Sequence, residues 1–267
     1  MKSKKECIHY VPAEYLNPPH PIMIKVIGVG GNGIHMLEGL TKINSALINL
    51  GMMGINVTAY DPDKVELPNL GRQMFYKSDL GKNKAEVYIA RINRTFGWGW
   101  RAEPRRMFRE DISKYCNILI TCVDQGRTRS QIGDWFKECT DGSATNSGRE
   151  TCHRIHYWMD LGNSRNSGQV ILGSKTIKQP ESQHKTVERL LTVTDFFPNI
   201  ADNDLNEVDE PSCSTMQALT KQSLFINHHI SGFAAEMLFD LLFHHHITTQ
   251  GLYYNGDLKH MSPIQLT

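Results

Sequence analysis

Four closely spaced glycines that follow an apolar run are the residues of this sequence best suited to bind a phosphate. They are Gly28, Gly30, Gly31 and Gly33, and the run before them, IKVIGV, is rich in β-branched residues. Glycine permits a tight turn, so that backbone N–H groups of the turn and of a following helix can approach a phosphate closely. The pattern predicts a nucleotide-binding loop and leaves the identity of the nucleotide open.

Charged residues downstream of the loop have the side chains that phosphate and metal chemistry requires. Arg72 could bind phosphate oxygens through its planar guanidinium, and Lys84 could act as a point charge. Asp61 and Asp124 each follow an apolar run, where an acid could bind ribose hydroxyls or Mg²⁺. Taken singly, such basic residues are more often solvated surface charges, and Asp63 could be a helix cap. Their occurrence together and in order is what indicates a site.

Alternating strands and helices are predicted to position these residues. Strands are predicted over 22–29, 55–61 and 117–124, and helices over 32–49, 81–95 and 127–138. This alternation predicts a parallel sheet, in which ligands bind beyond the carboxyl ends of the strands. Asp61 and Asp124 fall at two of those ends.

The fold expected from this pattern is a Rossmann-like, doubly wound α/β domain with a mostly parallel sheet. Residues 1–21 contain four prolines and are predicted to form an irregular lead-in. Residues 22–267 are then expected to form one domain, a size at which a chain can bury a full core.

The C-terminal half departs from the alternating pattern and is expected to extend the sheet with antiparallel strands. Two strands joined by a polar turn are predicted within 155–178, and the Asn255-Gly256 pair predicts a hairpin within 252–265. The polar and acidic residues 179–212 are predicted to form a long mobile connection. A helix is predicted over 214–246.

Composition excludes several classes of protein. The 29 basic and 28 acidic side chains give a net charge of +1, a balance that disfavours nucleic acid as a partner. No stretch approaches the ~20 apolar residues of a membrane span. The six cysteines are scattered without a C-x-x-C pair, which favours a reduced, cytoplasmic protein without a paired-cysteine zinc site.

The ordered motifs of residues 24–125 resemble those of the ThiF/MoeB superfamily, the ubiquitin-activating-enzyme-like adenylyltransferases. After the glycine loop come Asp61-Pro62-Asp63, Val65, Asn69-Leu70, Arg72-Gln73, Gly81, Lys84-Ala85 and Asp124. The segments EPSCSTMQAL and NGDLKHM are most similar to the ThiF-related family of the bacterial PRTRC cassettes.

This resemblance implies an ATP-binding adenylation domain that uses Mg²⁺. It assigns the ribose to Asp61, the phosphates to Asn69, Arg72 and Lys84, and the metal ion to Asp124. Asp63 and Gln73 belong to the same motifs and are further candidates for nucleotide binding. The implied reaction activates the C-terminal carboxylate of a small ubiquitin-like β-grasp protein. The implied assembly is a homodimer, in which an arginine of the neighbouring subunit completes the phosphate site.

Cys213 is the candidate nucleophile for a subsequent thioester. It lies in Glu210-Pro211-Ser212-Cys213 just before a predicted helix, where a helix N-terminus would lower the pKa of the thiol. The alternative is an unreactive thiol packed at the start of that helix. The sequence does not decide between the two.

Three other functions remain open at this point. An NAD-dependent oxidoreductase would use the same glycine loop, but 28 residues separate Gly33 from Asp61, against about 20 in the dinucleotide-binding pattern. An adenylating tRNA-modifying dehydratase of the same superfamily would need a basic face for RNA. A binding module that has lost turnover is opposed by the presence of Arg72, Lys84 and Asp124.

Overall fold

The computed structural model describes residues 7–71, 73–112, 115–139, 155–205 and 223–267. The strands are β1 (Cys7–Tyr10), β2 (Ile22–Ile27), β3 (Ile55–Tyr60), β4 (Arg101–Glu103), β5 (Ile118–Thr121), β6 (Tyr157–Asn163), β7 (Ser167–Ser174), β8 (Lys185–Thr186), β9 (His246–Ile247), β10 (Thr249–Asn255) and β11 (His260–Gln265). The α-helices are α1 (Gly31–Asn49), α2 (Lys84–Phe96), α3 (Arg109–Ile112), α4 (Gly126–Glu138), α5 (Val193–Phe196) and α6 (Ile226–Phe243).

An eight-stranded sheet organises the molecule, with the strand order β11-β10-β7-β6-β5-β2-β3-β4. The five strands from β6 to β4 are parallel to one another. The three strands β7, β10 and β11 continue the sheet in antiparallel fashion. The predicted α/β fold, with a mostly parallel sheet and an antiparallel C-terminal extension, is confirmed.

Helices cover both faces of this sheet because alternate residues of its strands enter two different hydrophobic clusters. In β5, Ile118 and Ile120 pack in the cluster that contains residues of α1, α2 and α6. Leu119, which lies between them, packs instead with residues of α3 and α4. All three side chains are fully buried, and burying one such side chain stabilises a fold by roughly 1.5–3 kcal/mol.

The predicted strands end one to three residues earlier in the structure, at Ile27, Tyr60 and Thr121. After Ile27 the chain turns at Gly28, whose φ is +90°. The residues that follow each of these strands are therefore available to line a site at the edge of the sheet.

The N-terminal lead-in is more ordered than the sequence predicted. Residues 7–10 form β1, which pairs in parallel with β8 and antiparallel with β9 in a second, three-stranded sheet. His9 is fully buried there; its Nδ1 lies 2.6 Å from the Val187 carbonyl and its Nε2 lies 3.1 Å from the Tyr157 hydroxyl. The prolines that suggested irregular structure begin only at Pro12, after the strand has ended.

The connection predicted over 179–212 also differs from the expectation across its described part. Residues 185–205 contain β8, α5 and a 3₁₀ segment, Ile200–Leu205. Leu190 and Val193 are each 1% exposed, so that this stretch packs on the domain instead of forming a mobile connection. Residues 206–212 lie outside the described residues.

The predicted helix over 214–246 corresponds in the described residues to α6, which ends at Phe243. It ends there because the chain reverses at His245, whose φ is +60°. Strands β10 and β11 form the predicted hairpin, and Pro263 lies in its outer strand. No helix in the described ranges is long and apolar enough to cross a membrane.

Candidate active site

The glycine loop connects β2 to α1, and its backbone has little room for side chains. A Cβ at Gly28 would lie 2.6 Å from the Cys122 carbonyl oxygen, and a Cβ at Gly33 would lie 1.9 Å from the Gly28 carbonyl oxygen. Gly33 therefore permits close packing of the helix on the loop, whereas Gly30 and Gly31 line a cavity. Gly30 is the N-cap of α1 and cannot provide a capping side chain. This helix end suits an anion.

A cavity of about 540 Å³ lies at the carboxyl ends of β2, β3 and β5. Eight of the predicted site residues line it: Gly28, Gly30, Gly31, Asp61, Asp63, Gln73, Lys84 and Asp124. We call it the nucleotide cavity, since its size is within the usual range for small-molecule sites.

The Asp61 carboxylate holds the end of β3 against the glycine loop. The side chain is 4% exposed; its Oδ2 accepts the Val29 N–H at 2.6 Å and its Oδ1 accepts the Asp63 N–H at 2.8 Å. Burial raises the pKa of Asp61, and the two N–H donors oppose that shift. A carboxylate oxygen can accept more than one hydrogen bond, and Asp61 lines the cavity, so that it could also accept a hydrogen bond from a ligand.

Lys84 enters the cavity from the first turn of α2. Its Nζ lies 3.3 Å from Oδ2 of Asp63, and its side chain is 10% exposed. The N-cap residue Asn83 fixes this turn, because its Oδ1 accepts the Glu86 N–H and its Nδ2 donates to the carbonyls of Asp61 and Asp63. The side-chain amide of Asn83 therefore holds the backbone of both aspartates and the helical turn that carries the lysine.

Asp124 follows β5 and is exposed, with α4 beginning two residues later. The first two N–H groups of this helix, those of Gly126 and Arg127, both donate to the carboxylate of Asp204 at 2.7 Å. The 3₁₀ segment that carries Asp204 lies so close that a Cβ at Gly126 would be 2.0 Å from the Ile200 carbonyl oxygen. The acceptor that caps α4 thus comes from a distant part of the chain.

Two predicted site residues that the structure describes, Gly33 and Asn69, are not in the cavity wall. Arg72 and Cys213 lie outside the described residues. Asn69 ends a 3₁₀ turn, Leu67–Asn69, where its Oδ1 accepts the Glu66 N–H at 2.8 Å. Contact of Asn69 with a phosphate therefore remains a prediction.

The motifs on this edge of the sheet are shared with a known protein family. A sequence profile of the ThiF family matches residues 22–264. The chain belongs to the ThiF family.

Individual relatives of this ThiF-family chain match parts of it. A NEDD8-activating enzyme E1 catalytic subunit of Dictyostelium discoideum is 39% identical over 115 residues, which are 41% of this chain and 24% of that protein. Crystal structures of E. coli MccB with ATP and of PaaA are similar in fold, each with a TM-score of 0.55. The MccB match has 14% identity and covers 94% of this chain and 65% of that chain. The PaaA match has 13% identity and covers 91% and 64%.

Each of these matches covers only part of the relative's own chain. The chain spans about a quarter of the NEDD8-activating relative and just under two thirds of the two solved structures. At 13–14% identity, the structural likeness establishes the fold alone. The PRTRC resemblance stays a prediction.

The residues of the nucleotide cavity fit ATP. Gln73 lies with its Nε2 3.9 Å from the position a Cβ would take at Gly30, so that its amide is next to the phosphate-binding loop. Its Oε1 is buried and finds no hydrogen-bond partner in the described part of the chain. Buried polar atoms are normally paired, and a polar ligand in the cavity would supply the partner.

Asp124 fits Mg²⁺ bound together with a nucleotide. Within the described ranges, no three His, Cys, Asp or Glu side chains are grouped so that they could hold a metal ion by themselves. Mg²⁺ is usually bound through one or two carboxylates together with substrate phosphates. An exposed carboxylate at the wall of the nucleotide cavity matches that mode of binding.

A second cavity of about 520 Å³ adjoins the first, and Asp124 and Asp204 line both. Its other walls come from the ends of β6 and β7 and from the β10–β11 hairpin, including Gly162, Gly168 and Tyr254. We call it the hairpin cavity. Its lining combines polar side chains such as Asn163 and Ser164 with aromatic ones such as Tyr253, a mixture that could bind an extended polypeptide.

Sequence reasoning missed residues that hold this site together. Asn83 had a local signal, since an asparagine just before a helical pattern is a preferred N-cap. Asp204 had none, because the N–H groups that it accepts lie 77 and 78 residues away in the chain.

Proposed function

We propose that this ThiF-family chain uses ATP and Mg²⁺ to adenylate the C-terminal carboxylate of a small ubiquitin-like protein. The observation that carries the proposal is that the glycine loop, Lys84 and Asp124 line one cavity, while Asp124 also lines a second. The NEDD8-activating relative and the MccB structure with ATP support it.

The reaction joins two negatively charged groups. A carboxylate oxygen would attack the α-phosphorus of ATP, and the bond from that phosphorus to pyrophosphate would break, which yields an acyl-adenylate and free pyrophosphate. The N–H groups of the glycine loop and the Lys84 ammonium would neutralise the phosphates as the carboxylate approaches. Mg²⁺ held at Asp124 would supply further positive charge to the leaving pyrophosphate.

The hairpin cavity would hold the extended C-terminal tail of the partner. Both cavities meet at Asp124, so that a tail lying in one would bring its terminal carboxylate to the nucleotide in the other. A tail rich in glycine suits such a channel, because its backbone passes where side chains would collide. This supports a β-grasp protein with a flexible tail as the substrate.

Transfer to Cys213 would follow adenylation. Cys213 lies outside the described residues, nine positions after Asp204, which lines both cavities. The Cys213→Ala variant is expected to retain adenylation and to lose any acyl-enzyme that thiols can cleave.

ATP–pyrophosphate exchange tests the proposal. Purified β-grasp proteins with intact C-termini would be added as substrates, and the same proteins lacking the last residue would serve as controls. Exchange that requires the intact terminus is the expected result. Thermal unfolding with ATP–Mg²⁺ and with NAD is a second test that needs no partner, and stabilisation by NAD instead of ATP would contradict the proposal.

A further inference from the structure

Arg129 and Asp160 form a buried ion pair that the reaction described above does not use. Arg129 lies in the first turns of α4, and its Nε donates to both carboxylate oxygens of Asp160, at 3.0 and 3.1 Å. The two side chains are 9% and 1% exposed. Asp160 lies on β6, so that the pair connects the helix to the sheet.

The rest of the guanidinium extends this connection to the wall between the two cavities. Its Nη1 donates to the backbone carbonyl of Asp124 at 3.1 Å, and its Nη2 donates to that of Leu161 at 3.2 Å. One planar group therefore fixes a strand carboxylate, a strand carbonyl and the residue that carries the exposed carboxylate of the nucleotide cavity.

The carboxylate of Asp160 is in turn fixed from the core. The Thr121 hydroxyl donates to its Oδ1 at 2.5 Å, and the Trp158 indole N–H donates to that hydroxyl at 2.9 Å. Thr121 is the last residue of β5, three positions before Asp124. The network therefore holds both sides of the turn that leads from β5 to α4.

Stability alone is a poor reason for this arrangement. A buried ion pair often contributes no more stability than apolar side chains of similar volume, because both charges lose their hydration. The guanidinium fixes the relative positions of its acceptors, because its planar group donates to several of them at once. An ammonium is a point charge and imposes no such geometry.

We propose that Arg129, oriented by Asp160, is a positioning residue that fixes the Asp124 backbone so that its carboxylate can hold the metal ion bound with the nucleotide. This inference rests on the proposed use of ATP and Mg²⁺. Residues that orient a metal ligand typically change metal affinity by about 10–100-fold when they are replaced.

The Arg129→Lys variant separates positioning from charge, because it retains a cation beside Asp160 and loses the fork. Thermal unfolding would be followed with ATP in EDTA and with ATP and MgCl₂. The expected result is that the stabilisation by ATP alone is unchanged, while the added stabilisation by Mg²⁺ requires at least about tenfold more metal. The exposed Arg189–Asp195 pair provides the control, and Arg189→Lys should retain the wild-type response to both.

A double variant, Arg129→Met with Asp160→Leu, removes both charges and leaves neither of them unpaired in the core. It should show the same loss of Mg²⁺ response if it folds. A wild-type Mg²⁺ response in either folded variant overturns the positioning role and leaves the proposed function intact. If neither variant folds, the pair serves stability and the inference is abandoned. If the wild-type protein responds to neither ATP nor Mg²⁺, the proposed function itself fails.

Discussion

Two aspartates of the nucleotide cavity, which follow β3 and β5, have opposite surroundings, and this suits them to different tasks. Asp61 is buried, and both of its oxygens accept backbone N–H groups. Asp124 is exposed, and the Arg129 guanidinium donates to its backbone carbonyl. The Asp61 carboxylate can hold the glycine loop and accept a hydrogen bond from a neutral group such as a ribose hydroxyl. The Asp124 carboxylate can bind a cation.

Asp124→Ala should therefore affect the reaction more than the binding of ATP. We expect pyrophosphate exchange to fall by at least about 10²-fold, since the charge that assists the leaving group is lost. Stabilisation by ATP in EDTA should be unchanged in thermal unfolding. Asp134→Ala, at an exposed position of the same α4, is the matched control and should exchange normally.

Gly28→Ala should weaken both the fold and nucleotide binding. The position combines a φ of +90° with a Cβ site only 2.6 Å from a backbone oxygen, so that strain and collision add to roughly 2 kcal/mol or more. Gly51 has a similar φ of +80° but open space around it, and Gly51→Ala should cost only about 1 kcal/mol, the strain of a left-handed backbone alone. Urea unfolding measures both, and equal losses would show that the close approach at Gly28 is unimportant.

At the scale of elements, short segments hold the domain together through contacts with residues that are far away in the sequence. Strand β1 pairs with residues near 185 and near 246, and the 3₁₀ segment before residue 206 caps α4 through Asp204. These contacts bring the N-terminal residues and the later part of the chain onto the same parallel core that carries the nucleotide cavity.

Burial of His9 makes the attachment of β1 dependent on pH. Burial lowers the pKa of His9, so the unfolded chain binds a proton more readily than the folded one. This part of the stability is present above pH about 6.5 and is lost as the pH falls below that value. In His9→Asn, which does not titrate there, the melting temperature should fall less between pH 7.5 and 5.5 than in the wild type. Parallel pH curves for the two proteins would contradict this.

The parts of the fold that the sequence predicted are those with a local cause. Runs such as IMIKVIGV predict a buried strand by themselves, and Asn255-Gly256 predicts its hairpin, since each depends on neighbouring residues. Four-residue β1 was missed because its partners lie more than 170 residues away. The roles of Asp204 and Asp160 could not be predicted either, because the groups that they accept lie 78 and 31 residues away in the chain. The glycine loop, Asp61, Lys84 and Asp124, by contrast, lie in contiguous motifs.

At the scale of the whole molecule, one cavity lies at the ends of the parallel strands, and the other lies where those strands give way to the antiparallel extension. The nucleotide cavity is at the ends of β2, β3 and β5, and the hairpin cavity is bounded by β6, β7, β10 and β11. The C-terminal strands thus extend the sheet and also build a wall of the second cavity. This arrangement makes the extension part of the proposed site for the partner's tail.

The family resemblance implies a homodimer, and the mass of the protein in solution tests this. We propose that two copies associate, which gives twice the 30.4 kDa of one chain, about 61 kDa. Sedimentation equilibrium at several protein concentrations is the measurement. A mass near 30 kDa throughout would mean that the phosphate site is completed within one chain.

Both outer strands of the large sheet resist the addition of another strand. At one edge, Pro263 of β11 lacks the N–H that a neighbouring strand would need, and at the other, β4 has only three residues, two of them charged. We therefore do not expect a second copy or the proposed ubiquitin-like partner to add a strand to either edge of this sheet. We therefore expect that recognition of the proposed partner depends on side chains and loops and not on a shared sheet.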